Sequence, residues 1–292
     1  MYCGSITRLS AYANEFDCCS DILRRSQLLC DTRRVELPKK PWFVMIITIM
    51  RNVLGEQIVG KHLPLVMAHR GGFAHGKENS STAVRESLKN YPDIVEIDVN
   101  KTSDQVLFCY HGSNAWELFL LVVVRFLPFR IVAHLITGVE TLEDILSTIQ
   151  TSNNQVIVYL DIKSTSISAG DLSNVLGKGN LVSVWIAAYT FRHLDRLRRG
   201  LGEEYVYIFN RAAVFFRNAL RKSSKIADVL QLFRHQWTKE NINLARGLGL
   251  EVSLFSGFLK TRERFKLAAK YRSLWFPYRD TSSIMFYFSE ES

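Results

Sequence analysis

Asp93-Ile94-Val95-Glu96-Ile97-Asp98-Val99-Asn100-Lys101-Thr102-Ser103-Asp104-Gln105-Val106-Leu107-Phe108-Cys109-Tyr110-His111 is the stretch on which the fold turns. Its first half is apolar and mostly β-branched, except for acids placed two positions apart. Alternate side chains of a strand share a face, so Glu96 and Asp98 point one way and Ile97 the other. Two carboxylates side by side are unfavourable unless a cation lies between them or one takes up a proton. Solvated strand faces also carry such pairs, but the neighbours here are those of a buried strand, and the spacing predicts a metal site. About six residues separate Ile94–Val99 from Val106–Tyr110, too few for a crossover helix. A hairpin turning near Ser103-Asp104 is expected, and it returns His111 to the side of Asp98.

Outside the hairpin, apolar runs alternate with helical patterns from Leu65 onward, the signature of a parallel α/β sheet. Strands are expected at Leu65–His69, Ile94–Val99, Val106–Tyr110, Val156–Ile162, Leu181–Ala188, Tyr205–Phe209, Ile226–Leu232, Glu251–Phe255 and, more weakly, Ser273–Phe276. Helices fit at Ser81–Lys89, Thr141–Gln150, Phe191–Arg199, Ala212–Lys222, Lys239–Leu248 and Thr261–Tyr271. Without the returning hairpin strand eight strands remain. They predict an α/β fold, a (β/α)8 TIM-type barrel over residues 61–292 behind an irregular N-terminal extension over residues 1–60. Such a barrel needs about 250 residues and carries its chemistry at the C-terminal ends of its strands. His69-Arg70, Glu96 with Asp98, and Asp161 with Lys163 all fall at such ends.

The chain has 292 residues, 47% of them hydrophobic, and a net charge of +9. That charge is uneven: +3 over residues 1–64, −3 over 65–189 and +9 over 190–292. A basic C-terminal third suits phosphate-bearing substrates or anionic headgroups, or is simply a set of Arg-rich solvated helix faces. Neither zinc-finger spacing nor an RNA-binding aromatic motif occurs, so nucleic acid is not an expected partner. Five cysteines without CxxC spacing fit a reducing compartment. The N-terminus lacks the basic-then-apolar order of a secretory signal. Trp42 to Met50 is apolar but ends at Arg51, short of the roughly 20 residues that span a bilayer. A cytoplasmic or peripherally membrane-associated protein is expected.

Three carboxylates, Glu96, Asp98 and Asp161, supply hard oxygen ligands suited to one divalent cation, Mg²⁺ or Ca²⁺. Lys163, on the strand face of Asp161, can neutralise phosphate oxygens, although the pair could also be a surface ion pair. Arg70 can hold phosphate by two parallel hydrogen bonds. His69 and His111 titrate near working pH and can serve as general acid and base. The other histidines, His62, His75, His134, His193 and His235, are read as structural.

The order His69-Arg70-Gly71-Gly72, Glu78-Asn79-Ser80, Glu96-Ile97-Asp98, His111 and then Asp161-Ile162-Lys163 resembles the glycerophosphodiester phosphodiesterase family. The double glycine and the spacer before Glu78 are similar to its membrane-associated lysophospholipase D branch. The resemblance implies that Glu96, Asp98 and Asp161 bind the divalent ion and that His69 and His111 are the acid–base pair. It also implies that Arg70 and Lys163 contact phosphate, and that Glu78 and Asn79 support the site. Gly112 stands where the family usually has Asp, and Asp161 where it usually has Glu. Both differences make the stretch similar to spider-venom sphingomyelinase D. Ser253-Leu254-Phe255-Ser256-Gly257 replaces the family's late tryptophan motif, and its final strand signature is reduced around Trp275–Thr281.

Trp116–Ile136 is strongly apolar, but Arg125, Pro128 and Arg130 interrupt it, which argues against a simple transmembrane helix. It is either a helix packed on the barrel or a greasy lip that receives acyl chains. The expected function is metal-dependent hydrolysis of a small-molecule or lipid phosphodiester, a glycerophosphodiester or lysophospholipid, with a membrane surface as a further candidate partner. The alternatives are a sphingomyelinase D-like phospholipase and an inactive lipid-binding barrel.

Overall fold

The computed structural model describes residues 64–72, 76–112, 115–152, 155–177, 181, 183–210, 216–255, 270 and 273–278. The extension expected over residues 1–60, the Trp42–Met50 run, His62, His75 and all but one residue of the Thr261–Tyr271 helix lie outside them. Strand β1 (Leu65–Ala68) is followed by a 3-10 turn (His69–Gly71) and then by helix α1 (Ser81–Leu88). Then come β2 (Ile94–Lys101), β3 (Leu107–Cys109), α2 (Ala115–Val124), α3 (Phe129–Leu135), β4 (Glu140–Thr141) and α4 (Leu142–Thr151). Next are β5 (Ile157–Ile162), α5 (Ala169–Leu176), β6 (Ser183–Ala188), α6 (Phe191–Leu201), β7 (Val206–Phe209) and α7 (Phe216–Ser223). The series ends with β8 (Val229–Phe233), α8 (Lys239–Gly247), β9 (Glu251–Phe255) and β10 (Trp275–Tyr278).

Eight strands pair in parallel in the order β10-β1-β2-β5-β6-β7-β8-β9. Leu274 carries the sheet round on itself. Its N–H donates to the Val252 carbonyl and its own carbonyl accepts from Leu65 N–H, both at 2.9 Å. The result is the (β/α)8 barrel expected from the strand count, with the weak ninth candidate serving as the closing strand. The hairpin also forms: β3 returns antiparallel on β2, pairing Val99 with Cys109. A short β4 extends it.

The two-residue period sorts each strand between two cores. Val95, Ile97, Val99, Val158, Leu160 and Ile162 face outward into the layer covered by helices. Leu65, Met67, Ile94, Ile157, Tyr159, Trp185, Ile208 and Trp275 fill the barrel interior. Glu96 and Asp98 share the face of Ile94, and Asp161 shares that of Ile157 and Tyr159, so the acids sit on top of an apolar plug. The β2–β5 register sets Asp98 directly opposite Asp161.

Helices start where local chemistry dictates. Thr141 and Ser168 form reciprocal capping boxes with Asp144 and Asp171, and Thr190 caps α6 through His193 N–H. On α6 the buried side is His193, Leu194, Leu197, Arg198 and Leu201. His193 is structural, its Nε2 lying 2.7 Å from the Ile167 carbonyl. Helix α5 has no counterpart among the expected helices. Trp116–Ile136 forms two helices, not one, because Pro128 at the start of α3 cannot continue α2.

Candidate active site

At the end of β1 the chain turns sharply. Arg70, Gly71 and Gly72 all have positive φ, at 54°, 76° and 78°. A Cβ on Gly72 would lie 2.6 Å from the Ser87 Cβ, so α1 packs this close only against glycine. The turn aims Arg70 N–H at Glu96 Oε2, 2.5 Å away. The Arg70 guanidinium then spans two partners. Its Nη1 donates to Glu78 Oε2 at 2.7 Å and its Nη2 to His111 Nε2 at 2.8 Å.

That second contact specifies the His111 tautomer. Arginine only donates, so Nε2 accepts; Nδ1 lies 2.8 Å from the Gly112 carbonyl, which only accepts, so Nδ1 carries the proton. Burial, with Lys163 and Arg70 nearby, lowers the His111 pKa and keeps the ring neutral. His69 is more enclosed, and burial pushes its pKa down to about 3. Its Nε2 is 3.9 Å from Glu96 Oε2. The two histidines, Arg70, Glu78 and Glu96 are thus one connected group.

Glu96, Asp98 and Asp161 offer carboxylate oxygens within 4.8 Å of one another, all buried. Burial raises the Glu96 carboxyl well above the usual range, and the negative charges of Asp98 and Asp161 raise it further. Burial would raise Asp98 as well, but the charges of Lys163 and His111 and the hydrogen bond from Asn79 outweigh it and hold that carboxyl at about 2. Asn79 makes a reciprocal pair with Asp98. Its Nδ2 donates to Asp98 Oδ2 at 2.8 Å, and its Oδ1 accepts Asp98 N–H at 2.9 Å.

Lys163 Nζ lies 2.8 Å from Asp98 Oδ1 and 2.5 Å from Asp161 Oδ2. The expected phosphate-binding lysine therefore stands between two of the expected metal ligands, compensating their charge. Desolvation alone would lower its pKa, but Asp161 and Asp98 raise it well above the ordinary lysine value. Asp98 Oδ1 accepts no hydrogen bond of good geometry despite that ion pair. A buried carboxylate oxygen facing two further carboxylates is the donor set a hard divalent cation requires, so the residues fit such an ion.

Three polar side chains that the sequence reading did not single out complete the cluster. Tyr189 O–H donates to Asp161 Oδ2 at 2.7 Å and accepts from Lys163 Nζ at 2.8 Å. Asn210 Nδ2 donates to Asp161 Oδ1 at 2.9 Å, while Asn210 Oδ1 accepts from Tyr159 O–H at 2.8 Å. Tyr189 and Asn210 each follow immediately on the C-terminal end of a barrel strand, β6 and β7. That position, the rule used for the acids, is the signal that could have found them.

Gly112 has φ 76°, and a Cβ there would lie 3.1 Å from Leu121 Cδ1 and 3.3 Å from the Glu117 carbonyl carbon. Glycine suits this position on two counts: the positive φ, which side chains rarely adopt, and α2 lying so close that a Cβ would have to push it back by a few tenths of an ångström.

Comparisons with known proteins agree with this geometry. Residues 69–176 match the model of the glycerophosphoryl diester phosphodiesterase family. No curated protein sequence matches the chain. Among solved structures, the chain is similar to a Thermotoga maritima glycerophosphodiester phosphodiesterase at 19% identity, covering 77% of this chain and 98% of that one, with a TM-score of 0.58. A Parabacteroides distasonis glycerophosphodiester phosphodiesterase matches at 14% identity over 77% and 98% of the two chains, with a TM-score of 0.60. An Oleispira antarctica phosphodiesterase, solved with the product sn-glycerol-3-phosphate, matches at 14% identity over 78% and 97%, with a TM-score of 0.57. These likenesses carry the fold, and the segment from His69 to Leu176 carries the match to the family model. Through that segment, less than half of the chain, the protein is similar to the glycerophosphoryl diester phosphodiesterase family, and its barrel is similar in fold to the solved structures.

Proposed function

We propose that the barrel of residues 61–292 hydrolyses a glycerophosphodiester or lysophospholipid with the help of one divalent cation, Mg²⁺ or Ca²⁺. The observation that carries this reading is the meeting of three buried carboxylates with His69, His111 and Arg70 at one end of the barrel. The Oleispira relative, which holds a glycerol phosphate product, supports the substrate class. Glu96, Asp98 and Asp161 would hold the ion, which when bound supplies positive charge to offset that developing on phosphate oxygens.

The chain's own groups do the rest. Arg70 binds the phosphate by exchanging its His111 contact for phosphate oxygens, which suits a planar guanidinium. That exchange frees the His111 Nε2 lone pair, which takes a proton from the nucleophile, either water or a substrate hydroxyl. His69, protonated once the bound phosphate's negative charge offsets the burial that lowers its pKa, donates a proton to the leaving alcohol, or the two histidines act in the opposite order. Lys163, which pairs with Asp98 and Asp161, would be available to the phosphate if a cation took over the charge of those carboxylates. Glu78 anchors Arg70 and Asn79 anchors Asp98.

A second reading, a sphingomyelinase D-like activity, draws on Asp161 and Gly112 at positions where the family usually has larger acids. The decisive assay follows headgroup release from a glycerophosphodiester, a lysophospholipid and a choline sphingolipid, each with Mg²⁺, Ca²⁺ or chelator. Turnover that needs metal and is lost in Asp98→Asn and His69→Ala is expected. Turnover unaffected by chelator and by both variants would refute the assignment. Release from the sphingolipid alone would favour the second reading, and none from any substrate would favour an inactive lipid-binding barrel.

A further inference from the structure

Seven large apolar side chains stand exposed among the described residues, and five of them, Phe119, Val122, Phe126, Ile131 and Leu135, lie within α2, α3 and the turn between them. Phe119 and Val122 are about one helical turn apart, and Phe126, in the connecting turn, is 67% exposed. The opposite side of the pair is anchored. Val124, Val132 and Ile136 are buried against Phe108 and Tyr110 of the returning hairpin. A helix pair packed on one side and exposing large apolar side chains on the other is an apolar patch of the kind that marks an interaction site.

Its charge narrows the partner. Between Leu118 and Val139 the chain carries Arg125 and Arg130 and no acid, and both arginines are exposed. The Arg125 guanidinium lies 4.6 Å from the Phe126 ring centroid. Arginine beside an aromatic ring on an apolar face suits a lipid–water boundary, where the ring sinks and the guanidinium reaches the headgroups. A second copy of the chain is a poor fit, because a two-fold contact through this patch brings arginines against arginines. No described helix is long and apolar enough to cross a membrane, so the pair would lie in the plane of the interface. We propose that α2 and α3 are an interfacial anchor that sets the barrel mouth on an anionic phospholipid bilayer.

The anchor adjoins the site. A cavity of about 380 Å³ has the apolar Leu120, Leu135 and Ile136 in its lining together with the charged Lys77, Glu78 and Glu117. Glu78 is the residue that holds Arg70. That volume is within the roughly 300–1,000 Å³ of small-molecule sites. A lipid phosphodiester drawn from the bilayer could lay its chain on the leucines with its phosphate toward Arg70. This consequence rests on the function proposed above; the docking itself does not.

The test is cosedimentation of the full chain with vesicles of phosphatidylcholine, with and without phosphatidylserine. Partition onto the serine-lipid vesicles is expected to exceed that onto phosphatidylcholine alone. It should fall at least about tenfold in Phe119→Ser/Phe126→Ser and in Arg125→Gln/Arg130→Gln. Tyr91→Ser and Leu244→Ser, exposed apolar residues on other elements, should bind as wild type does. Circular dichroism checks folding, and Ile131→Ser carries the same test should the double serine variant not fold. Hydrolysis of a soluble phosphodiester should be retained in the anchor variants, which separates loss of docking from loss of the site. Binding unchanged in the anchor variants, absent in wild type, or lost instead in Trp42→Ser/Phe43→Ser would overturn the proposal. So would a concentration-dependent dimer that the same variants dissolve.

Discussion

Replacing Asn79 tests how the fold keeps Asp98 ionised. Asn79 is 1% exposed and sits at φ 56°. Asn79→Gly accepts that backbone freely and deletes only the side chain. Two hydrogen bonds go with it, one to a carboxylate worth about 1.5–3 kcal/mol and one to a backbone N–H worth about 0.5–1.5 kcal/mol. A loss near 3 kcal/mol follows, or a fall of about 6–12 °C in melting temperature for a domain of this size. Asn79→Ala must hold a side chain in the left-handed region and should lose about 1 kcal/mol more. Asn79→Asp keeps the acceptor for Asp98 N–H but sets a carboxylate against Asp98 Oδ2. Its deficit should shrink in acid, where a protonated carboxyl can donate again. Urea unfolding followed by circular dichroism at pH 7 and pH 4 reads all three variants. A glycine variant within about 0.5 kcal/mol of wild type, where surface changes usually fall, would refute the anchoring role, as would an aspartate deficit independent of pH.

Gly112→Asp should destabilise by about 2–4 kcal/mol, since strain at positive φ adds to overpacking against α2; thermal melting near the wild-type value would contradict the close packing. Tyr189→Phe and Asn210→Ala each remove a donor to Asp161. Each should weaken Mg²⁺ or Ca²⁺ binding about tenfold by calorimetry, and equal affinity would show that Asp161 needs neither for its orientation. Asp228 is raised to about 6, mainly by burial. Arg198, 3.3 Å away, has its stronger hydrogen bond to Glu203. Because the raised pKa favours the protonated folded state, its stabilisation is full below about pH 3.8 and is lost as pH rises through 6. Relative to Asp228→Asn, the wild type should lose about 2 kcal/mol between pH 4 and pH 7; a flat difference across that range would rule this out.

The strand period made much of the site legible. Glu96 and Asp98 had to share a face, and Asp161 had to share one with Lys163, whatever the rest of the chain did. The short spacer after Val99 required a hairpin, and Tyr110 N–H does bond back to the Asp98 carbonyl at 3.1 Å. The Trp116–Ile136 run was less legible, because apolar content alone does not say which side chains face inward. Leu120 packs toward the core while Phe119 and Val122 face solvent.

By itself the sequence determined the alternation of strands and helices, the eight-strand count, and the order in which acids and histidines reach strand ends. These follow from local periods and from steric limits on short connections, which act along the chain. Only the tertiary structure decided that Lys163 sits between Asp98 and Asp161, and that Tyr189 and Asn210 hold Asp161 from two other strands. It likewise decided that α2 crowds position 112, where the backbone is also in the conformation that favours glycine. Those contacts depend on the register of parallel strands and on where helices come to rest. Both are set by packing between residues far apart in the chain, which no local pattern encodes.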